Sequence, residues 1–121
     1  GVTFKPGTDD IRESQAIKII DELLSNSFNI NIYDPKGVEN AKKYYKKNNR
    51  VKFFNEKYES LKEIDTLLLL TEWKEFRSPN LGKMKKLMNK QIIFDGRNIY
   101  NKKELDSMGF EYFQIGVKDK I

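Results

Sequence analysis

The chain has 121 residues, 38% hydrophobic and 34% charged, which is enough apolar material for one packed core and too much for a disordered segment. It has no cysteine and no histidine, which excludes disulfides, thiolate nucleophiles, the usual zinc ligands and histidine as a general base. The net charge is +5, no apolar run is long enough to span a bilayer or act as a signal peptide, and the lack of cysteine suits the cytoplasm.

Residues 1–5, "GVTFK", read as a first strand. Ser14 is a good helix N-cap, because its hydroxyl can accept from the free amides of the next turn. Ile17, Ile20, Leu23 and Leu24 then recur at helical spacing. In "FNINIYDP", Phe28, Ile30, Ile32 and Asp34 share one side of a strand that Pro35 stops. Residues 37–47 read as a polar helix with Val38, Ala41 and Tyr45 facing inward, and Val51–Phe54 as a short strand or extended link. A short helix is expected around Tyr58–Lys62.

The run Leu67–Leu70 is apolar without alternation. A strand of that kind belongs in the middle of a parallel sheet with helices on both faces. A helix over Asn80–Met88 follows, with Leu81, Met84, Leu87 and Met88 facing in. Gln91–Phe94 is a strand stopped by Asp95-Gly96, residues 102–108 are a helix closed by Gly109, and "FEYFQIG" is a last strand. Strand and helix in alternation with short loops predict an α/β fold: a three-layer, Rossmann-like sandwich with a mostly parallel sheet, in one domain over residues 1–121.

Basic residues gather in Lys42–Lys52 and Gly82–Lys90. Tyr44 and Tyr45 beside the first group raise base stacking on a nucleic acid. A solvated helix face explains the same residues without a ligand. Two separate segments with acids interleaved elsewhere favour the solvated face, so nucleic acid is not an expected partner.

In an open parallel sheet, ligands bind beyond the carboxyl ends of the strands. Those ends carry Phe4-Lys5, Asp34, Thr71-Glu72-Trp73 and Asp95-Gly96-Arg97-Asn98. Lys5 and Arg97 come from two strand ends near one region, and a point-charge lysine with a forked arginine suits a phosphate or a carboxylate. Solvated strand-end charges are the ordinary alternative. Asp9, Asp10 and Arg12 can equally be a capping cluster for the helix after Ser14. Trp73 and Phe76 read as packing or interface residues. Asp34 stands where a dinucleotide fold would bind ribose, but the first turn is "FKPGTDD" and lacks the GxGxxG glycines. Without them the backbone cannot approach a pyrophosphate, so no standard NAD site is expected here.

"FKPGTDDIRES" (Phe4–Ser14), "YDP", "LLLLTEWKEF" (Leu67–Phe76), "FDGRNIY" (Phe94–Tyr100) and "GFEYFQIG" occur in this order along the whole chain. Together they resemble the C-terminal, UDP-binding domain of the nucleotide-sugar dehydrogenase family. "FKPGTDD" with "DGRNIY" is most similar to members that oxidise UDP-glucose; the GDP-mannose and UDP-N-acetylmannosamine enzymes stay open, as does a free-standing nucleotide-binding module with no oxidoreductase partner. The resemblance implies oxidation of the sugar C6 alcohol to a carboxylate with two NAD, through a cysteine thioester. The catalytic cysteine, its lysine and asparagine helpers and the NAD fingerprint would belong to an upstream part, and Gly1 would be a cut before the domain's first strand. No catalytic residue and no metal site is then expected in this chain, and alone it is expected to be inactive. The resemblance further implies that Phe4, Lys5 and Arg97 contact the nucleotide sugar, that Arg12 reaches the NAD, and that the enzyme is a homodimer or higher homo-oligomer. The chain departs from the family at Gln15, where proline is frequent at the first helical position.

Overall fold

A computed structural model of the chain describes residues 1–3, 5–12 and 14–114. In chain order its elements are α1 (Gln15–Ser25), β1 (Ile30–Ile32), α2 (Val38–Tyr45), β2 (Val51–Phe53), β3 (Thr66–Leu69), α3 (Leu81–Leu87), β4 (Ile92–Asp95), α4 (Lys102–Ser107) and β5 (Glu111–Gln114). Short 3-10 turns lie at Glu59–Leu61 and Lys74–Phe76. Ile115 and Gly116 of the expected last strand lie outside the described residues.

Local chemistry sets the helix ends. Ser14 caps α1 by accepting from the Ala16 amide at 3.2 Å. Asn80 and Asn101 do the same for α3 and α4, accepting from Lys83 and Glu104 at 3.0 Å. Each such cap supplies an acceptor to an amide that the helix itself leaves unpaired. Gly109 ends the α4 turn at φ +85°, a conformation that costs a side chain with a Cβ about 1–2 kcal/mol.

Every strand pair is parallel: β1 with β2, and β3 with β4 with β5. Among the described residues these form two sheets, in the orders β1-β2 and β3-β4-β5. Helices α1 and α2 pack on the first sheet through Ala16, Ile20, Ala41 and Tyr45 against Ile32 and Val51. Helices α3 and α4 pack on the second through Leu81, Met84 and Leu105 against Leu69, Ile93 and Tyr112. The result is the expected Rossmann-like α/β sandwich. The register explains the second core: Leu67, Ile93 and Tyr112 lie abreast on its inner face. Leu68, Phe94 and Phe113 lie abreast on the opposite face, where the two phenylalanine rings stack at 4.8 Å and remain 41% and 46% exposed. The β3 run is therefore less enclosed than its sequence predicts, and only Leu69 within it is fully buried.

The expected first strand is not formed over residues 1–3, and Phe4 lies outside the described residues. The amides of Val2 and Thr3 donate to the Asp34 carboxylate, at 2.8 and 3.2 Å, instead of to a strand carbonyl. The segment nevertheless links the two sheets. Val2 is buried in the α1/α2 core, while Thr3 accepts from the Trp73 indole N–H at 3.0 Å beyond β3.

Candidate functional site

Parallel pairing puts the loops after β3 and β4 at one end of their sheet, and Thr3, bonded to both Asp34 and Trp73, brings the loop after β1 to the same place. Two buried carboxylates organise two of these loops. Asp34, 2% exposed, takes Val2, Thr3 and the Thr3 hydroxyl on Oδ2, and the amides of Lys36 and Gly37 on Oδ1. All of its capacity goes to the fold, which is why it is not a ribose ligand. Gly37 is required beside it: a Cβ there would meet the Thr3 methyl at 2.8 Å and the Asp34 carboxylate at 3.1 Å.

Asp95, fully buried, does the same for "DGRNIY". Its Oδ1 accepts from the amides of Arg97 and Asn98, and its Oδ2 from those of Ile99 and Tyr100 and from the Tyr112 hydroxyl. Asn98 takes a left-handed φ of 58°, which asparagine tolerates better than most residues. This loop places Arg97 at the surface. The Arg97 Nε donates to the Leu70 carbonyl at 3.0 Å and lies 3.2 Å from Glu72 Oε2. Among the described residues its two terminal nitrogens take no hydrogen-bond partner, so the open edge of the guanidinium is available to an anion.

The segment Leu70–Trp73 thus joins the two cation-bearing ends. Leu70 and Glu72 hold Arg97, and Trp73 holds Thr3, two residues before Lys5. Lys5 is exposed and makes no ion pair among the described residues. Arg97 and Thr3 therefore contact one common segment, Leu70–Trp73. Trp73 and Phe76 are packing residues, as expected: both join the second core, and Phe76 meets the Tyr33 ring edge-on at 6.0 Å.

Arg12 lies on the loop before α1. Its guanidinium binds Asp10 in a fork, Nε to Oδ1 at 3.0 Å and Nη2 to Oδ2 at 2.9 Å. Hydrogen bonds from Arg12 hold the Asp10 carboxyl below its ordinary value of 3.8. The Arg12 side chain is 86% exposed and borders an open depression of about 410 Å³ shared with Asn40, Lys43 and Tyr44. Asn40 ties this loop to α2 by donating to the Asp9 carbonyl at 2.7 Å. On α2, Tyr45 is buried with its hydroxyl on Asp21 at 2.8 Å, so it cannot join Tyr44 as a stacking platform. Among the described residues no group of three or more His, Cys, Asp or Glu side chains could hold a metal ion, and no helix is long and apolar enough to cross a membrane.

A family model described as "UDP-glucose/GDP-mannose dehydrogenase family, UDP binding domain" matches residues 1–102. The chain belongs to this family. The UDP-glucose 6-dehydrogenase of Rhizobium meliloti is 40% identical over 119 residues, 98% of this chain and 26% of that protein. That of Rickettsia prowazekii is 38% identical over 116 residues, 96% of this chain and 26% of that protein. Among solved structures, the UDP-D-ManNAc dehydrogenase of Pyrococcus horikoshii superimposes with a TM-score of 0.69 at 29% identity, over 96% of this chain and 24% of its own. The chain spans about a quarter of the length of the curated relatives it matches. Family membership agrees with the resemblance drawn from "FKPGTDD" and "DGRNIY".

Within this family's domain, sequence reasoning missed Glu72 as the partner of Arg97, and Asp95 as the organiser of the Arg97 loop. A signal for Asp95 was present, since an aspartate followed by glycine at a strand end commonly accepts from the amides of its own turn. Glu72 had none, because its partner lies 25 positions away.

Proposed function

We propose that the chain is the nucleotide-sugar-binding domain of an NAD-dependent UDP-glucose 6-dehydrogenase, which takes UDP-glucose to UDP-glucuronate with reduction of two NAD. In this reading residues 1–121 form one domain, Phe4, Lys5 and Arg97 bind the nucleotide sugar, and the chain supplies no catalytic residue. The enzyme is a cytoplasmic homodimer or higher homo-oligomer. The observation that carries the reading is Arg97, anchored through Nε, with its outer edge open, by a segment that also holds Thr3, two residues before Lys5. A nucleoside diphosphate presents the oxygens that a fork and a point charge recognise.

The residues present fit NAD at one edge only. Arg12 offers a cation beside Lys43, and the loop before α1 has no glycine-rich phosphate cradle. NAD, held by the rest of the enzyme, would supply the hydride acceptor, and Arg12 would contribute positive charge toward it. The higher sequence identity to UDP-glucose enzymes favours glucose, while the structural likeness to UDP-D-ManNAc dehydrogenase makes that sugar the second reading.

Calorimetric titration of the chain with UDP, UDP-glucose and GDP tests the proposal. UDP and UDP-glucose should bind and GDP should bind more weakly. Equal binding of all three, or none, would refute it. NADH formation from UDP-glucose by the chain alone would refute the assignment of catalysis to the rest of the enzyme.

A further inference from the structure

We infer that Glu72 is a positioning residue, which sets the Arg97 guanidinium so that its two terminal nitrogens face the diphosphate of the nucleotide sugar; this rests on the reading of Arg97 as a ligand cation. A guanidinium on a flexible side chain has many orientations, and only those presenting Nη1 and Nη2 together give a forked contact. Here the inward edge is occupied. Nε faces the Leu70 carbonyl at 3.0 Å and Glu72 Oε2 at 3.2 Å, from the same strand-end segment. The single Nε–H donates to the Leu70 carbonyl, and the Glu72 carboxylate adds charge attraction on that same edge, which leaves the opposite edge as the one that can meet an anion.

The Glu72 side chain has two opposing effects. Its negative charge near a diphosphate repels the ligand, while its contact with Nε reduces the entropy lost when Arg97 is fixed. Both side chains of the pair are a little over a third exposed, at 38% and 36%, so water weakens the through-space repulsion. Water weakens the attraction within the pair as well, so the sign of the effect separates the two: positioning predicts weaker UDP binding when the Glu72 charge is removed, and repulsion predicts tighter binding.

The test is UDP affinity of the intact polypeptide by calorimetry, for wild type, Glu72→Ala, Glu72→Gln, Arg97→Ala and the double variant Glu72→Ala/Arg97→Ala. Positioning predicts that Glu72→Ala weakens UDP binding about three- to fivefold, the scale of an exposed ion pair. Glu72→Gln, which removes the charge and keeps the bulk of the side chain, should lose part of that affinity. In the Arg97→Ala background, Glu72→Ala should change nothing, since its effect passes through Arg97. Tighter UDP binding by both Glu72 variants would overturn the inference in favour of simple repulsion. A Glu72→Ala loss that persists without Arg97 would overturn it in favour of a role in the fold. Wild-type affinity in Glu72→Ala, with Arg97→Ala still weakened, would leave Arg97 as ligand cation and remove Glu72 from the site. Unchanged binding by Arg97→Ala would refute the ligand role itself, and the positioning role with it.

Discussion

The Tyr112 hydroxyl donates to Asp95 Oδ2 at 2.6 Å, from β5 to the end of β4, and locks the buried carboxylate that shapes the Arg97 loop. Asp95 holds four backbone amides as well. Replacing it with alanine orphans all of these donors, each costly where water cannot reach. Asp95→Ala should lose about 3 kcal/mol or more of stability, while Tyr112→Phe, which removes one donor and keeps the ring, should lose about 1–2 kcal/mol. Chemical denaturation measures both. A Tyr112→Phe protein as stable as wild type would show that Asp95 is satisfied without it.

The same tyrosine makes stability sensitive to alkali. Burial and then the Asp95 carboxylate push the Tyr112 phenol above its ordinary value of 10.0. Burial raises Tyr100 and Tyr45 in the same direction, and burial with Glu75 raises Tyr33 to about 12. A phenol with a raised folded pKa keeps its proton when the unfolded chain has lost it. Its stabilisation is complete below pH 10 and falls as the pH rises toward the folded value. Melting temperature should therefore decline above about pH 10. Tyr112→Phe should make that decline shallower, by about one proton in its slope. An identical slope would remove Tyr112 from the effect.

Lys5 and Arg97 should govern ligand affinity more than stability. A charged hydrogen bond lost on truncation costs roughly 1.5–3 kcal/mol, about one to two decades in affinity. Lys5→Ala and Arg97→Ala in the full-length enzyme should each weaken UDP-glucose binding on that scale, and Arg97→Lys should recover only part, because an ammonium cannot reproduce the fork. Melting temperatures should shift little, since both side chains are solvated. Unchanged binding with a large drop in melting temperature would make both residues structural.

Arg12 should separate the two ligands. Arg12→Ala in the full-length enzyme should raise the NAD concentration needed for half-maximal rate and leave UDP binding nearly unchanged. Asp10→Asn should act in the opposite sense, because the carboxylate that engages the Arg12 fork no longer carries charge. Steady-state kinetics with NAD varied and calorimetry with UDP provide the comparison. Equal losses for both ligands in Arg12→Ala would assign the residue to the fold.

Much of this architecture is legible in sequence because its causes are local. Ser14 caps α1 through an amide two positions on, Gly109 closes α4 within its own turn, and the apolar spacing of Ile20, Ala41 and Met84 marks inward helix faces. The alternation of these helices with short apolar strands is enough to establish the parallel α/β class, since a parallel connection needs a crossover. The motifs around Lys5 and Arg97 likewise identify the family from short stretches. Tertiary structure alone decided which groups meet across the chain. Val2 and Thr3 give up strand bonding because Asp34, some 30 residues later, offers a buried carboxylate to their amides. Trp73 reaches Thr3 across 70 positions, and Arg97 reaches the Leu70 carbonyl across 27. Those pairings depend on strand order and parallel register, which bring the strand ends to one edge, and no pattern within a single turn or strand encodes them.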